Sequence, residues 1–246
     1  MNPIEEFKKE VRCNIAGLAG DTDVQALSRI WIREIARHRY AYNFTWLGRP
    51  VIQFPQDMMA IQELIWSIRP DVVIETGIAH GGSILFSASM LELVGGEGYV
   101  VGIDIDIRKH NRAEIEAHPL SKRVRLVEGS SVDEAVVTQV REMVGDGKVV
   151  LVILDSNHTH EHVLRELELF SPFVGKGSYL VVYDTLIEDM PADLVGDRPW
   201  GPGNNPKTAV WEFLKGNERF EVDREMEAKL LITVAPDGYL RCTKEA

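Results

Sequence analysis

Two aspartates give the first chemical signal. Asp155 directly follows the apolar run Val149–Leu154, and Asp184 directly follows Ser178–Tyr183. Two carboxylates at neighbouring strand ends can converge on one hard cation, such as Mg²⁺, which takes one or two carboxylates and completes its shell with water and substrate oxygens. The alternative for each is to cap the helix that follows. His158 lies three residues after Asp155, at the rim of that site. An imidazole is well matched to taking a proton near neutrality. His158 and His162 stand four apart on one helix face, but no H-E-x-x-H is formed. An iron site of two histidines and one carboxylate would need His158, His160 or His162 to converge with an acid.

Upstream, the stretch Glu75-Thr76-Gly77-Ile78-Ala79-His80-Gly81-Gly82-Ser83 follows another apolar run. Glycines let a backbone turn tightly and approach a ligand closely. Ala79 stands where the dinucleotide fingerprint G-x-G-x-x-G has its second glycine, so that fingerprint is not formed. Glu75 can pair with an amino group and would repel a pyrophosphate. Asp104 ends the next apolar run and can accept both ribose hydroxyls of a nucleoside, or cap a helix. It follows Gly77 by 27 residues, against the ~20 usual for that role, so the intervening helix or its loop is long. Ser130 and Ser131, after a third run, can hold an adenine edge or cap the next helix.

These residues need a scaffold that brings them to one edge. The short apolar runs Val72–Ile74, Tyr99–Ile103, Val124–Val127, Val149–Leu154 and Ser178–Tyr183 read as buried parallel strands. Helical stretches alternate with them, at Gln56–Ile68, Gly82–Leu93, Val132–Val144, Glu161–Phe170 and Lys207–Lys215, with a polar one before Val124. This alternation predicts an α/β, doubly wound, mostly parallel sheet, with ligands beyond the carboxyl ends of its strands. Two final strands, Phe220–Val222 and Leu230–Val234, predict an antiparallel edge pair. Residues 1–50 read as a helical, aromatic-rich extension for packing or subunit contact, and residues 51–246 as the catalytic domain.

Composition narrows the function. The 246 residues carry 27 basic and 38 acidic side chains, a net charge of −11. That balance argues against a grip on nucleic acid. No apolar run approaches the ~20 residues of a membrane helix, and the N-terminus lacks the apolar core of a signal peptide. Cys13 and Cys242, with no CxxC, exclude a cysteine zinc site and suit a reducing cytoplasm.

The segments ETGIAHGGS, GIDIDIR, EGSS, LDSNHTHEHVLREL, GSYLVVYDT, GPGNNPKTAVWEFL and FEVDREMEAKLLITVAPDGYLR together resemble the cephalosporin hydroxylase family, in the right order over roughly residues 40–243. Despite its name, that family has the class I fold of S-adenosylmethionine-dependent methyltransferases. The resemblance implies a seven-stranded Rossmann-like sheet, the sulfonium cofactor over the first two strand ends, and Mg²⁺ near the fourth and fifth. Carried over, Glu75, Gly77, His80, Gly81, Ser83 and Asp104 line the cofactor, with Ser130 near its adenine, and Asp155 and Asp184 hold the metal. Related metal-dependent sugar O-methyltransferases have a histidine three residues after the first metal aspartate, which matches His158 as general base. It also implies a homo-oligomer. One departure stands out: the family reads V-E-D-T where this chain has Val182-Tyr183-Asp184-Thr185. A neutral phenol is a weak ligand, so metal affinity is lowered, the site is altered or lost, or Thr185 supplies the oxygen instead.

The expected reaction is a direct displacement at the sulfonium methyl, with no protein nucleophile. The protein must hold the acceptor oxygen roughly 3–3.5 Å from the methyl carbon and help remove its proton. A strongly ionic cage around sulfur would oppose the displacement, which puts Glu75 at the amino-acid end of the cofactor. The acceptor is expected to be a small molecule with adjacent oxygens, a sugar diol or a catechol, covered by the loop Asp197–Pro206 with Trp200 stacked on its ring. Competing expectations are a non-catalytic cofactor-binding partner protein, which Tyr183 favours, an iron hydroxylase, and a nicotinamide oxidoreductase, which would want glycine at position 79.

Overall fold

The computed structural model describes residues 2–245. Two helices, α1 (Pro3–Gly20) and α2 (Thr22–Ala36), open the chain, and a short turn over Tyr40–Asn43 leads into the hairpin β1 (Phe44–Trp46) and β2 (Arg49–Val51). The aromatic segment is thus only partly helical, and its last residues form a hairpin instead. Neither α1 nor α2 buries a residue. Ile4, Phe7, Leu27, Ile30 and Trp31 are all exposed.

After α3 (Pro55–Ile68) the alternation runs β3 (Val72–Thr76), α4 (Gly82–Val94), β4 (Tyr99–Asp104), α5 (Lys109–Ala117), β5 (Val124–Glu128), α6 (Glu134–Val144), β6 (Val150–Leu154), α7 (His160–Phe170) and β7 (Tyr179–Val182). Then come α8 (Ala192–Val195), α9 (Pro206–Gly216), β8 (Phe220–Val222), α10 (Arg224–Leu230) and β9 (Tyr239–Cys242). The sheet has seven strands in the order β5-β4-β3-β6-β7-β9-β8. The first five are parallel to their neighbours, and β9 runs antiparallel to both β7 and β8. The expected fold class is therefore what forms. Every residue of β3 and β6 is buried, as central strands covered on both faces require. Those two strands neighbour each other where the winding reverses, so a crevice opens beyond Thr76 and Leu154.

One expected strand is absent. Leu230–Val234 does not pair in the sheet; α10 covers its first residue, Leu231 breaks the helix at φ 56°, and the edge pairing passes to β9. The cause is a buried carboxylate on α3. Asp57, fully buried, accepts hydrogen bonds from the Thr233 hydroxyl, from Val234 N at 2.9 Å and from the Tyr239 hydroxyl at 2.7 Å. The apolar run thus docks on Asp57 instead of finding a strand partner. Burial pushes the Asp57 carboxyl up to about 6, against the pull of these donors. No described helix is long and apolar enough to cross a membrane.

Candidate active site

The loop after β3 is shaped by close backbone packing. Gly77 has φ 80°, and a Cβ there would lie 2.0 Å from the Asp155 carbonyl oxygen. Only glycine lets the two strand ends meet this closely. Gly81 also has positive φ, and a Cβ would strike Ile115 of α5. Asp104, at the end of β4, accepts from the amides of Ile78 at 3.0 Å and Ala79 at 3.3 Å. It thus fixes the loop while its carboxylate lines the cavity above. Behind the loop, Arg49 donates twice to the His80 carbonyl, at 3.0 and 2.8 Å, and once to Asn111, whose amide donates to the Ala79 carbonyl. His80 enters this network through its backbone.

Glu75 and Ser83 lie beneath the loop. Glu75 is 1% exposed and accepts a hydrogen bond from the Ser83 hydroxyl. Burial pushes its carboxyl up to about 7. Its folded-state value therefore lies above the unfolded one. The stability this contributes is complete below the unfolded value and is lost as pH rises through about 7. Glu75→Gln keeps a hydrogen-bonding group but cannot ionise. Relative to the wild type it should gain roughly 3 kcal/mol between pH 4 and 8, since each tenfold change in proton affinity is worth about 1.4 kcal/mol. Parallel denaturant melts across that range would disprove the assignment if the two pH curves keep the same shape.

Asp155, His158 and Asp184 meet across the crevice. One ligand atom from each lies within 4.8 Å of the others. His158 Nε2 is 3.2 Å from Asp184 Oδ2. The Gln53 amide, just beyond β2, donates to Asp155 Oδ2 at 2.9 Å. Burial, then Asp184 and Glu75, push the Asp155 carboxyl well above its usual range. Asp184 has φ 56°, a left-handed conformation in which aspartate is among the few tolerated side chains. The two carboxylates at this spacing fit a divalent cation, with the imidazole beside them.

Tyr183 and Thr185 both point away from the cluster. Tyr183 is 4% exposed and packs in the apolar core, and burial raises its phenol well above the ordinary value. Thr185 is fully buried and donates to the Pro236 carbonyl at 2.6 Å. Neither joins the Asp155–His158–Asp184 cluster. His160 and His162 are engaged elsewhere. His160 Nδ1 lies 2.8 Å from the Thr208 hydroxyl, and His162 contacts Ser131, Ser156 and Glu166. Among the described residues no pair of histidines converges with a carboxylate, as the iron hydroxylase reading requires.

A cavity of about 460 Å³ joins these parts, lined by Gly77, Asp104, Asp155, His158 and Asp184 among others. Ser130 does not line it; its carbonyl accepts from Asp133 N, and Asp133 caps α6. The loop over Asp197–Pro206 forms one wall. Asn204 pins it to α7 by accepting from His160 N at 2.9 Å, and Asn205 caps α9 while its amide donates to Glu188 and to the Gly201 carbonyl. Trp200 packs edge-on to His158, with ring centres 4.8 Å apart at 86°. The tethers of Asn205 to Glu188, of Asn204 to His160, of Arg49 and of Gln53 join residues 17 to 102 positions apart, so no local pattern announces them.

A family model described as Rhamnosyl O-methyltransferase/CmcI matches residues 38–243. The chain belongs to this family. Rhamnosyl O-methyltransferase of Mycobacterium bovis (strain BCG / Pasteur 1173P2) is 33% identical over 214 residues, 82% of this chain and 82% of that protein. Its counterpart in Mycobacterium leprae (strain TN) is 30% identical over 216 residues, 82% of this chain and 87% of that one. Among solved structures, the apo form of CmcI-N160 superimposes with a TM-score of 0.59 at 20% identity, over 82% of this chain and 77% of that chain. CmcI-D160 with Mg and SAM gives 0.56 at 16% identity, over 82% and 78%. These structural matches establish the fold. The Rhamnosyl O-methyltransferase/CmcI match covers the glycine loop, Asp104, Asp155, His158 and Asp184, and leaves out both α1 and α2.

Proposed function

We propose that the protein is an S-adenosylmethionine-dependent O-methyltransferase acting on a hydroxyl of a sugar or another small molecule with adjacent oxygens. The observation that carries this is the placement of Asp155, His158 and Asp184 on the same cavity as Gly77 and Asp104. The kinship to rhamnosyl O-methyltransferases favours a glycoside as acceptor. Asp104, at the end of β4, would take the ribose hydroxyls. Asp155 and Asp184 would hold a divalent cation, Mg²⁺ by family resemblance, which supplies Lewis acidity to a bound hydroxyl. His158 would accept that hydroxyl's proton, and Asp184, 3.2 Å away, would steady the imidazolium that results. Trp200 and its tethered loop exclude water from one side and offer an indole face to a sugar ring.

The test is direct. The protein, S-adenosylmethionine and Mg²⁺ are incubated with a panel of rhamnosides and catechols, and products are read by mass spectrometry. A single added methyl on a rhamnoside hydroxyl, abolished by chelation, is the expected result. Tight binding of S-adenosylhomocysteine with no methylated product across the panel would support the second reading, a cofactor-binding partner protein, which the sealed position of Tyr183 favours. Absence of cofactor binding would end both.

A further inference from the structure

Gln53 is 4% exposed, and only half of its amide is used. Its nitrogen donates to Asp155, while its oxygen is buried and has no partner. A buried amide oxygen left unpaired costs on the order of 1–3 kcal/mol, so its burial beside a ligand-sized crevice calls for a donor. Two small voids flank it, about 20 Å³ against Gly77, His80, Ser83 and Asp155, and about 10 Å³ against Glu75 and Tyr183. Their position follows the cofactor's own connectivity. Asp104 sets the nucleoside on the β4 side, and the methyl group must face Asp155, His158 and Asp184. The third substituent on sulfur, the amino-acid tail, is then left with the cleft between the glycine loop and residues 50–53.

We propose that Gln53 receives the α-ammonium group of the cofactor's amino-acid tail on its side-chain oxygen, while its nitrogen holds Asp155 in place. This rests on the methyltransferase reading above. It makes Gln53 a bridge between the cofactor's tail and the carboxylate cluster, so that a filled tail site and a correctly aimed Asp155 come together.

The experiment compares two ligands by calorimetric titration of the full chain. S-adenosylhomocysteine carries the amino-acid tail, and 5′-methylthioadenosine keeps the nucleoside and thioether without it. Gln53→Met, which preserves length and removes both polar atoms, should weaken S-adenosylhomocysteine at least about tenfold. Methylthioadenosine should bind within twofold of the wild type, which also reports that the variant is folded. An S-adenosylhomocysteine analogue with hydrogen in place of the α-amino group closes the cycle. Its loss of affinity should be seen in the wild type and vanish in Gln53→Met, because both changes remove one interaction. Equal weakening of both ligands, or of neither, would overturn the assignment in favour of a packing role or a bridging water. If the wild type binds methylthioadenosine and S-adenosylhomocysteine equally, Gln53 has no tail to hold and the proposal falls while the nucleoside site stands. If it binds neither, the methyltransferase reading falls first.

Discussion

His158→Ala is expected to lower the rate constant of methyl transfer by about 10²–10⁴-fold, the usual worth of a positioned general base, with S-adenosylhomocysteine affinity kept within a few-fold. The side chain is 17% exposed, close enough to solvent to pass a proton onward and sheltered enough to face one substrate. Asp184 at 3.2 Å and the Trp200 ring at 4.8 Å hold it from two sides. It shares the cavity with Asp104 but stands at the other strand end, so removing it spares the nucleoside contacts. Single-turnover assays with saturating cofactor would check the first half and calorimetry the second. A variant with unimpaired turnover would remove His158 from the chemistry. A variant that loses cofactor binding in parallel would make it a structural element of the crevice.

The second large effect is expected at Asp184→Asn. The substitution keeps size and tolerates the left-handed backbone at φ 56°, since asparagine adopts that conformation as readily as aspartate. What changes is charge. With one carboxylate gone, affinity for a divalent cation should fall more than about 100-fold, beyond the 10–100-fold typical of losing an outer-shell partner. Cation-dependent methyl transfer should fall with it. The cation-free protein should meanwhile become more stable, by about 0.5–2 kcal/mol, as functional sites often do when their strain is relieved. The reason is local: Asp184 is one of the groups that push the Asp155 carboxyl up, so neutralising it lets Asp155 ionise at lower cost. Manganese titration followed by electron paramagnetic resonance reads the affinity, and melts in chelator read the stability. A variant that binds manganese like the wild type would show that the carboxylate cluster is not the cation site.

Much of this scaffold is legible in the sequence because central parallel strands are buried on both faces and so appear as unbroken apolar runs. Val72–Ile74 and Val149–Leu154 are such runs, and each lies within one residue or two of its strand's true limits. Chemistry then falls at the next residue, since ligands gather at the carboxyl ends of these strands. Asp104, Asp155 and Asp184 could be picked out on that ground alone. Leu230–Val234 has the same apolar composition and forms no strand. Its hydrogen bonds are taken by Asp57, 176 and 177 positions away from Thr233 and Val234, and nothing in the run itself declares that partner.

The same division runs through the site. Residue type and position in the alternation determined the fold class and the glycine loop, and which aspartates and which histidine stand at the crevice. Tertiary packing decided what each can touch. It turned Tyr183 into the core and tied Thr185 to Pro236, leaving His158 as the third member of the cluster. It sealed Glu75 under the loop, where Ser83 donates to it. It brought Gln53 and Arg49 from the edge of the N-terminal hairpin to Asp155 and His80, across 102 and 31 residues of chain. Strand ends follow from a local rhythm of apolar and polar residues, which any stretch of sequence displays. A side chain's partners follow from how the elements close on one another, and that is settled only when burial forces each polar group to find a donor or acceptor wherever in the chain it lies.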